Sequence, residues 1–280
     1  MPDHLTVEDH RRDSAGLRYI YPVVSRRAGG VSIGVNLNTN NACNWACVYC
    51  QVPGLTRGAP PPVDLALLER ELRGFLREIV DGDFMRTRVS PESRRLADIA
   101  FSGNGEPTSA PDFLDAVVLV ERILREFSLE KSLKMRLITN GSLTRRPAVQ
   151  KALARIGALD GEVWFKVDRG NAEGILRANG ARVSMPRVRE SLLTCATLAP
   201  TWVQTCHFAF DGEVPDEREV AVYLEFIESV REKIKGVLLY GIARPSMQTE
   251  AKRLSQVPLD ELRRFSQRIA SLGTCVISNP

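Results

Sequence analysis

Short apolar runs alternate with longer amphipathic ones along almost the whole 280-residue chain, and this alternation restricts the fold more than any other feature. Residues 31–37 alternate apolar and small side chains, the period of a strand. A helical pattern follows, with Asp64 as its N-cap and Leu65, Leu68, Leu72, Phe75 and Ile79 on one face. The pair then recurs. Strands are expected at 97–101, 135–138, 163–167, 202–210 and 237–242. Helices are expected after Pro111 and Asp112, from Pro147, over about 186–196, over 217–233 and over 260–271, with a short closing strand at 274–277. Strands alternating with helices form a parallel sheet joined by right-handed crossovers. Six such units without a dinucleotide fingerprint point to an α/β chain wound as a partial (β/α)6 TIM-like barrel. One domain, 31–280, holds all six units behind a polar N-terminal lead-in, 1–30. In the lead-in, 22–27 reads as a solvated arm, with Arg26 and Arg27 alternatively facing an anionic substrate. The basic stretch 83–95 reads as a loop.

The composition limits the partners. Charged residues are 26% of the chain and the net charge is +4, from 38 Lys+Arg against 34 Asp+Glu. That weakly basic balance permits an anionic substrate without demanding nucleic acid. No apolar run approaches the ~20 residues that span a bilayer. The first twelve residues lack the apolar core of a secretory signal. The expectation is a cytoplasmic protein with no membrane partner. Six cysteines in a chain of this length are not a disulfide framework.

Three of those cysteines fall within eight residues, Cys43-Asn44-Trp45-Ala46-Cys47-Val48-Tyr49-Cys50, just after the first expected strand. Three thiolates on one loop can hold three irons of a cubane [4Fe–4S] cluster. The fourth iron then has no protein ligand, and an open metal position is where a substrate or cofactor binds. A zinc knuckle with a distant fourth ligand, or three structural cysteines, are the other readings. Cys195, Cys206 and Cys275 are far apart and read as buried free thiols.

In barrels of this kind the active site lies at the C-terminal ends of the strands. Unusual polar residues stand at those ends here. After the second strand comes Ser102-Gly103-Asn104-Gly105-Glu106-Pro107-Thr108, whose glycines allow close backbone approach and whose Glu106 offers an acceptor. Asn140 follows the third strand. On the fourth, alternation places Trp164, Lys166 and Asp168 on one face, where a buried Lys and Asp need a partner or a ligand. Gln204 is polar within the fifth. Tyr240 and Arg244 follow the sixth. His207 reads as a core or surface histidine.

The cysteine stretch resembles the C-x3-C-x-aromatic-C cluster motif of the radical S-adenosylmethionine (SAM) superfamily. Residues 102–108 resemble its GGE-type motif, with Asn104 where the motif has glycine. The resemblance implies a [4Fe–4S] cluster on Cys43, Cys47 and Cys50, with SAM chelated to the open iron. It implies cofactor contacts from Tyr49, Ser102, Gly103, Asn104, Gly105, Glu106, Pro107, Asn140, Lys166, Asp168, Gln204, Tyr240 and Arg244. It further implies reductive cleavage of SAM to a 5′-deoxyadenosyl radical acting on an unidentified small-molecule or peptide substrate. An external electron donor such as flavodoxin or ferredoxin would drive it.

Over roughly 20–265, the segments PVVSRR, FSGNGEPT, LITNGSL, VWFKVD, WVQT and YGIARP are similar to the Fe–S oxidoreductases related to the wyosine-forming enzymes of tRNA modification. The wyosine enzymes proper bind a second cluster through cysteines upstream of the main motif. No cysteine precedes Cys43 here, no flavodoxin-like pattern is present, and the glycine-rich stretch 171–182 departs from that branch. A tRNA partner stays open without being favoured. A non-catalytic metal-binding protein is the third reading.

Overall fold

The computed structural model describes residues 5–6, 15–25 and 28–279. The expectation for Arg26 and Arg27 lies outside the described residues. One sheet of eight strands dominates: β1 (Ile20–Ser25), β2 (Gly30–Val35), β3 (Leu96–Phe101), β4 (Lys134–Thr139), β5 (Glu162–Lys166), β6 (Thr201–Cys206), β7 (Gly236–Tyr240) and β8 (Val276–Asn279). Their spatial order is their chain order. A doubly wound sheet reverses its strand order at a switch point; unbroken sequential order is what winding round a barrel gives. β2 to β8 run parallel, and β1 pairs antiparallel with β2. Because β1 and β8 do not pair, the barrel is partial.

The helices are α1 (Leu65–Val80), α2 (Phe84–Arg88), α3 (Phe113–Glu126), α4 (Pro147–Ala158), α5 (Ala172–Asn179), α6 (Met185–Leu198), α7 (Glu217–Glu228) and α8 (Leu259–Ala270). Their start signals act as the sequence suggests. Asp64 accepts from the Leu67 backbone N–H at 2.9 Å, and Asp216 does the same for Glu219 at 2.8 Å. Pro147 sits in the first turn of α4, where its missing N–H costs nothing.

The period of two divides every parallel strand between two environments. Ile33, Val35, Ile99, Phe101, Leu137, Val163, Phe165, Val203 and Leu239 join Leu72 of α1, Val120 of α3, Leu153 of α4 and Leu192 of α6 in one buried cluster. Each such side chain contributes about 1.5–3 kcal/mol by leaving water. The alternate residues face the barrel interior and are far more polar. Asp98 accepts from Ser32 and from Arg136. Arg136 also reaches Glu162 at 3.1 Å, and Glu162 reaches Lys134 at 3.1 Å. The Arg136 guanidinium lies 4.8 Å over the Trp164 ring. Asp98 and Arg136 are thus paired inside the barrel, as buried charges must be, and Glu162 links them to the half-exposed Lys134 at its rim.

Three local expectations are corrected. Residues 22–25 are not a solvated arm but part of β1, with Tyr19, Ile20 and Tyr21 buried. Pro22 misleads: it is tolerated because β1 is an edge strand. Residues 84–88 form the short helix α2, whose Phe84 meets Phe75 edge-on at 5.0 Å. The glycine-rich segment 171–182, for which no element was expected, holds a regular helix, α5, capped by the Asn171 side chain on the Gly174 N–H at 2.7 Å and ended by Gly180 at φ 58°. The fifth expected strand stops at Cys206, and Ala209–Phe210 pairs separately with Leu254–Ser255.

Beyond β6, His207 is buried and stacked on Phe265 with ring centroids 4.4 Å apart. Burial, helped by the Arg169 charge, pushes its pKa down to about 3. The folded state thus binds this proton later than the unfolded chain, so the contribution is complete above about pH 6.5 and is lost as pH falls toward 3. Between about pH 7.5 and about pH 5 this group alone should remove roughly 2 kcal/mol of stability. Urea unfolding of the wild type and of His207→Phe at the two pH values checks this, the variant losing that much less.

Candidate active site

A cavity of about 310 Å³ fills the barrel interior at the C-terminal ends of the parallel strands. The cysteine loop forms its rim, and Cys43, Cys47 and Cys50 all line it. Their loop has almost no regular structure, so its backbone groups find partners elsewhere. Asn38 Nδ2 donates to the Ala42 carbonyl at 2.9 Å. The Ala46 and Val48 N–H groups donate to the carbonyls of Asn179 and Ala178 at 3.0 and 2.9 Å. On the other side, Ser246 Oγ donates to the Val48 carbonyl at 2.6 Å, and Gln248 Nε2 to those of Cys50 and Val52 at 3.1 and 2.9 Å. Trp45 is buried beside Ile175 and Ala181, anchoring the loop on α5.

Burial pushes the Cys43 thiol up, and pushes Cys47 up to about 12 with Lys166 opposing. Thiols held neutral in this way give up their protons when a metal binds. Among the described residues no three His, Cys, Asp or Glu side chains are gathered to hold one metal ion. The three cysteines are spaced along their loop, which suits three irons of a cluster better than one zinc. The donor set and its position on the cavity rim fit a [4Fe–4S] group.

The remaining wall comes from the strand ends. Ser102, Gly103, Asn104, Gly105, Glu106, Asn140, Lys166, Gln204, Tyr240 and Arg244 line the cavity with Tyr49. Lys166 Nζ donates to Tyr49 Oη at 2.7 Å and lies 3.8 Å from Asp168. Burial alone would lower its pKa, but Asp168, with Tyr240, Cys47 and Cys206, overcomes this and holds it above the ordinary lysine value. The cavity therefore contains a fixed ammonium.

Two residues stand elsewhere. Asp168 follows the end of β5, where strand alternation no longer applies, and it turns into the wall. It accepts from the Cys206 N–H at 2.8 Å, from Asn179 Nδ2 at 2.6 Å and from the Tyr49 hydroxyl. Pro107 is buried as the first residue of a 3-10 turn, Pro107–Ser109. Neither lines the cavity.

The glycines of 102–108 also have a task within the protein itself. A Cβ on Gly103 would lie 2.4 Å from Asn36 Oδ1, and one on Gly105 would lie 2.2 Å from the Ala42 carbonyl oxygen. Both make room for the protein's own first loop. Glu106 is likewise a tie. Its Oε1 accepts from Thr108 Oγ1 and Thr139 Oγ1, each at 2.6 Å, and Oε2 from the Asn140 N–H at 2.7 Å. Burial raises its pKa against these donors. Asn140 in turn donates to Asn44 Oδ1 at 2.9 Å, so the third strand end reaches the cysteine loop.

Sequence reasoning passed over Asn36, Asn38 and Asn179. Asn36 Oδ1 accepts from the N–H groups of Asn38 and Asn104 at 3.2 and 3.0 Å. The run Asn36-Leu37-Asn38-Thr39-Asn40-Asn41 carried the signal, because asparagines bond nearby backbone. Nothing near Asn179 in sequence connects it with Cys47.

The comparisons agree with this architecture. No family model matches the chain. A UPF0026 protein from Helicobacter pylori strain J99 is 25% identical over 267 residues, 91% of this chain and 74% of the relative. A second, from strain 26695 of the same species, is 27% identical over 175 residues, 56% of this chain and 50% of the relative. Among solved structures, TYW1 with a lysine-pyruvate adduct bound superposes with a TM-score of 0.55 at 15% identity, covering 87% of this chain and 74% of that one. A radical SAM methyltransferase from Sphaerobacter thermophilus gives 0.59 at 14% identity, covering 92% and 68%. The chain has the fold of the radical SAM enzymes.

Glu106→Ala tests the role of that carboxylate in the protein alone. It leaves the Asn140 and Thr108 N–H groups without their buried acceptor, at a cost of about 2 kcal/mol or more. Chemical unfolding of the metal-free protein should show this loss. Unchanged or higher stability would mean that Glu106 is held for a ligand instead.

Proposed function

We propose that this protein is a radical SAM enzyme. One observation carries the reading: three cysteine thiols on one loop open into the same cavity as the C-terminal ends of the parallel strands. Cys43, Cys47 and Cys50 would hold a [4Fe–4S] cluster and leave one iron to the amino and carboxylate groups of SAM. When bound and reduced by an external donor such as flavodoxin or ferredoxin, this pair supplies a 5′-deoxyadenosyl radical that takes hydrogen from the substrate.

The chain's own residues bind, orient and exclude water. The Lys166 ammonium, held by the Tyr49 hydroxyl and Asp168, is the partner for a carboxylate. The 103–105 backbone and Asn140 supply polar wall. Glu106 Oε2 accepts from the Asn140 N–H and keeps a lone pair for an ammonium group. Ser102, Gln204, Tyr240 and Arg244 complete the wall, whereas Asp168 and Pro107 act from behind it. Val52, Leu55 and Trp45 add apolar surface that keeps water from the reacting atoms.

The fold likeness to TYW1 supports a second reading, tRNA modification of the wyosine type. The TYW1 structure contains a lysine–pyruvate adduct. Lys166 is a lysine on this cavity wall, but the net charge of only +4 does not call for an RNA partner. A small-molecule or peptide substrate is favoured.

Anaerobic reconstitution with iron and sulfide, then dithionite and SAM, tests the reading through 5′-deoxyadenosine. The wild type should form it and Cys47→Ala should not. A protein that takes up zinc in preference to iron and cleaves no SAM would overturn the proposal.

A further inference from the structure

We propose that Asn179 sets the reduction potential of the cluster by donating a side-chain hydrogen bond to the sulfur of Cys47. This rests on the cluster assignment above and goes beyond it by naming a residue that does not ligate iron. Asn179 is the last residue of α5 and has no exposed surface. Its Nδ2 lies 3.3 Å from Cys47 Sγ, 2.6 Å from Asp168 Oδ2 and 3.4 Å from Tyr49 Oη. An amide nitrogen has two N–H groups. One is directed at Asp168, and the other at the sulfur and the phenol beside it.

The geometry is held from both sides. The Asn179 carbonyl accepts from the Ala46 N–H and the Ala178 carbonyl from the Val48 N–H, so the residues flanking Cys47 are fixed to the end of α5. Gly180 makes the turn at φ 58°, and a Cβ there would come 2.8 Å from the Ala46 carbonyl oxygen. The helix does not need this side chain for its own termination, since the Gly180 N–H already caps the Leu176 carbonyl. The amide is placed inward, between Asp168 Oδ2 and Cys47 Sγ. Its Oδ1 has no hydrogen-bond partner among the described residues, so the hydrogen bonds of this side chain all come from Nδ2.

A hydrogen bond to a cluster sulfur stabilises the state with more negative charge, which is the reduced one, and raises the potential. Removing it lowers the potential. The expected effect of Asn179→Leu is a tenfold fall in the one-electron reduction equilibrium constant, equal to ~59 mV. Arg57→Ala serves as the mechanical control. Arg57 donates to the carbonyls of Asn44 and Gly180, so it holds the same seat without touching a sulfur. Because Arg57 is exposed, solvent screens its charge, and its removal should move the potential far less than Asn179→Leu does.

The experiment is an EPR-monitored redox titration of the reconstituted wild type, Asn179→Leu and Arg57→Ala without SAM. It is paired with nitrogen hyperfine spectroscopy of the reduced wild type labelled with 15N-asparagine. A lowered midpoint in Asn179→Leu alone, with a 15N coupling in the wild type, supports the proposal. Equal shifts in both variants, or a loaded wild type without a 15N coupling, overturn it. If Asn179→Leu does not fold, labelled Asn179→Ser takes its place and must lose a coupling that the wild type shows, because Asn44, Asn104 and Asn140 also stand at the site. Failure of the wild type to assemble any iron–sulfur cluster would instead overturn the cluster assignment itself.

Discussion

Three thiols must be presented to one cavity by a loop with almost no regular structure, and most of the site follows from that demand. A loop of this kind cannot satisfy its own backbone groups, and leaving them unpaired in a buried wall is costly. The chain meets the demand from three directions. Asn38 reaches Ala42 from the end of β2. The end of α5 receives Ala46 and Val48. Ser246 and Gln248, nearly two hundred residues further on, hold Val48, Cys50 and Val52. The glycines at 103 and 105 belong to the same arrangement, because the loop and its asparagines occupy the space that a Cβ would take.

The partial barrel makes such a seat practical. Sequential strand order brings the C-terminal ends of seven parallel strands around one opening, so residues far apart in the chain become neighbours. The period of two then separates their tasks. Apolar side chains face the helices, while Asp98, Arg136, Trp164 and Lys166 face inward. The charges among them are paired before any ligand arrives: Asp98 with Arg136, Arg136 with Glu162, and Lys166 with Asp168. Pairing stabilises the charged forms at the cost of desolvation. It also leaves Lys166 positively charged at the cavity wall, where an anionic group on a ligand can use it.

Much of this was legible in the sequence because its causes are local. Hydrophobic periodicity placed six strands and six helices within a few residues of their observed bounds, and Asp64 and Pro147 marked helix starts. The cysteine spacing and the polar clusters after the strands pointed to the cavity. Local signals also misled where a tertiary role overrode them. Pro22 suggested an arm, yet an edge strand tolerates it. The polar, arginine-bearing stretch 83–95 suggested a loop, yet 84–88 form a short helix whose Phe84 packs on Phe75. Alternation carried Asp168 inward because it was continued past the end of the strand at Lys166.

The sequence by itself determined the βα alternation, the inward and outward faces of the strands, and the presence of three closely spaced thiols on one loop. Each depends on residues a few positions apart, and neighbouring side chains fix it. Only the tertiary structure decided what those thiols meet. Asn179 lies 132 positions from Cys47, Tyr49 lies 119 from Asp168, and Ser246 lies 198 from Val48. Those contacts exist because the strands close side by side into a partial barrel, and no short-range pattern encodes which strand ends will meet.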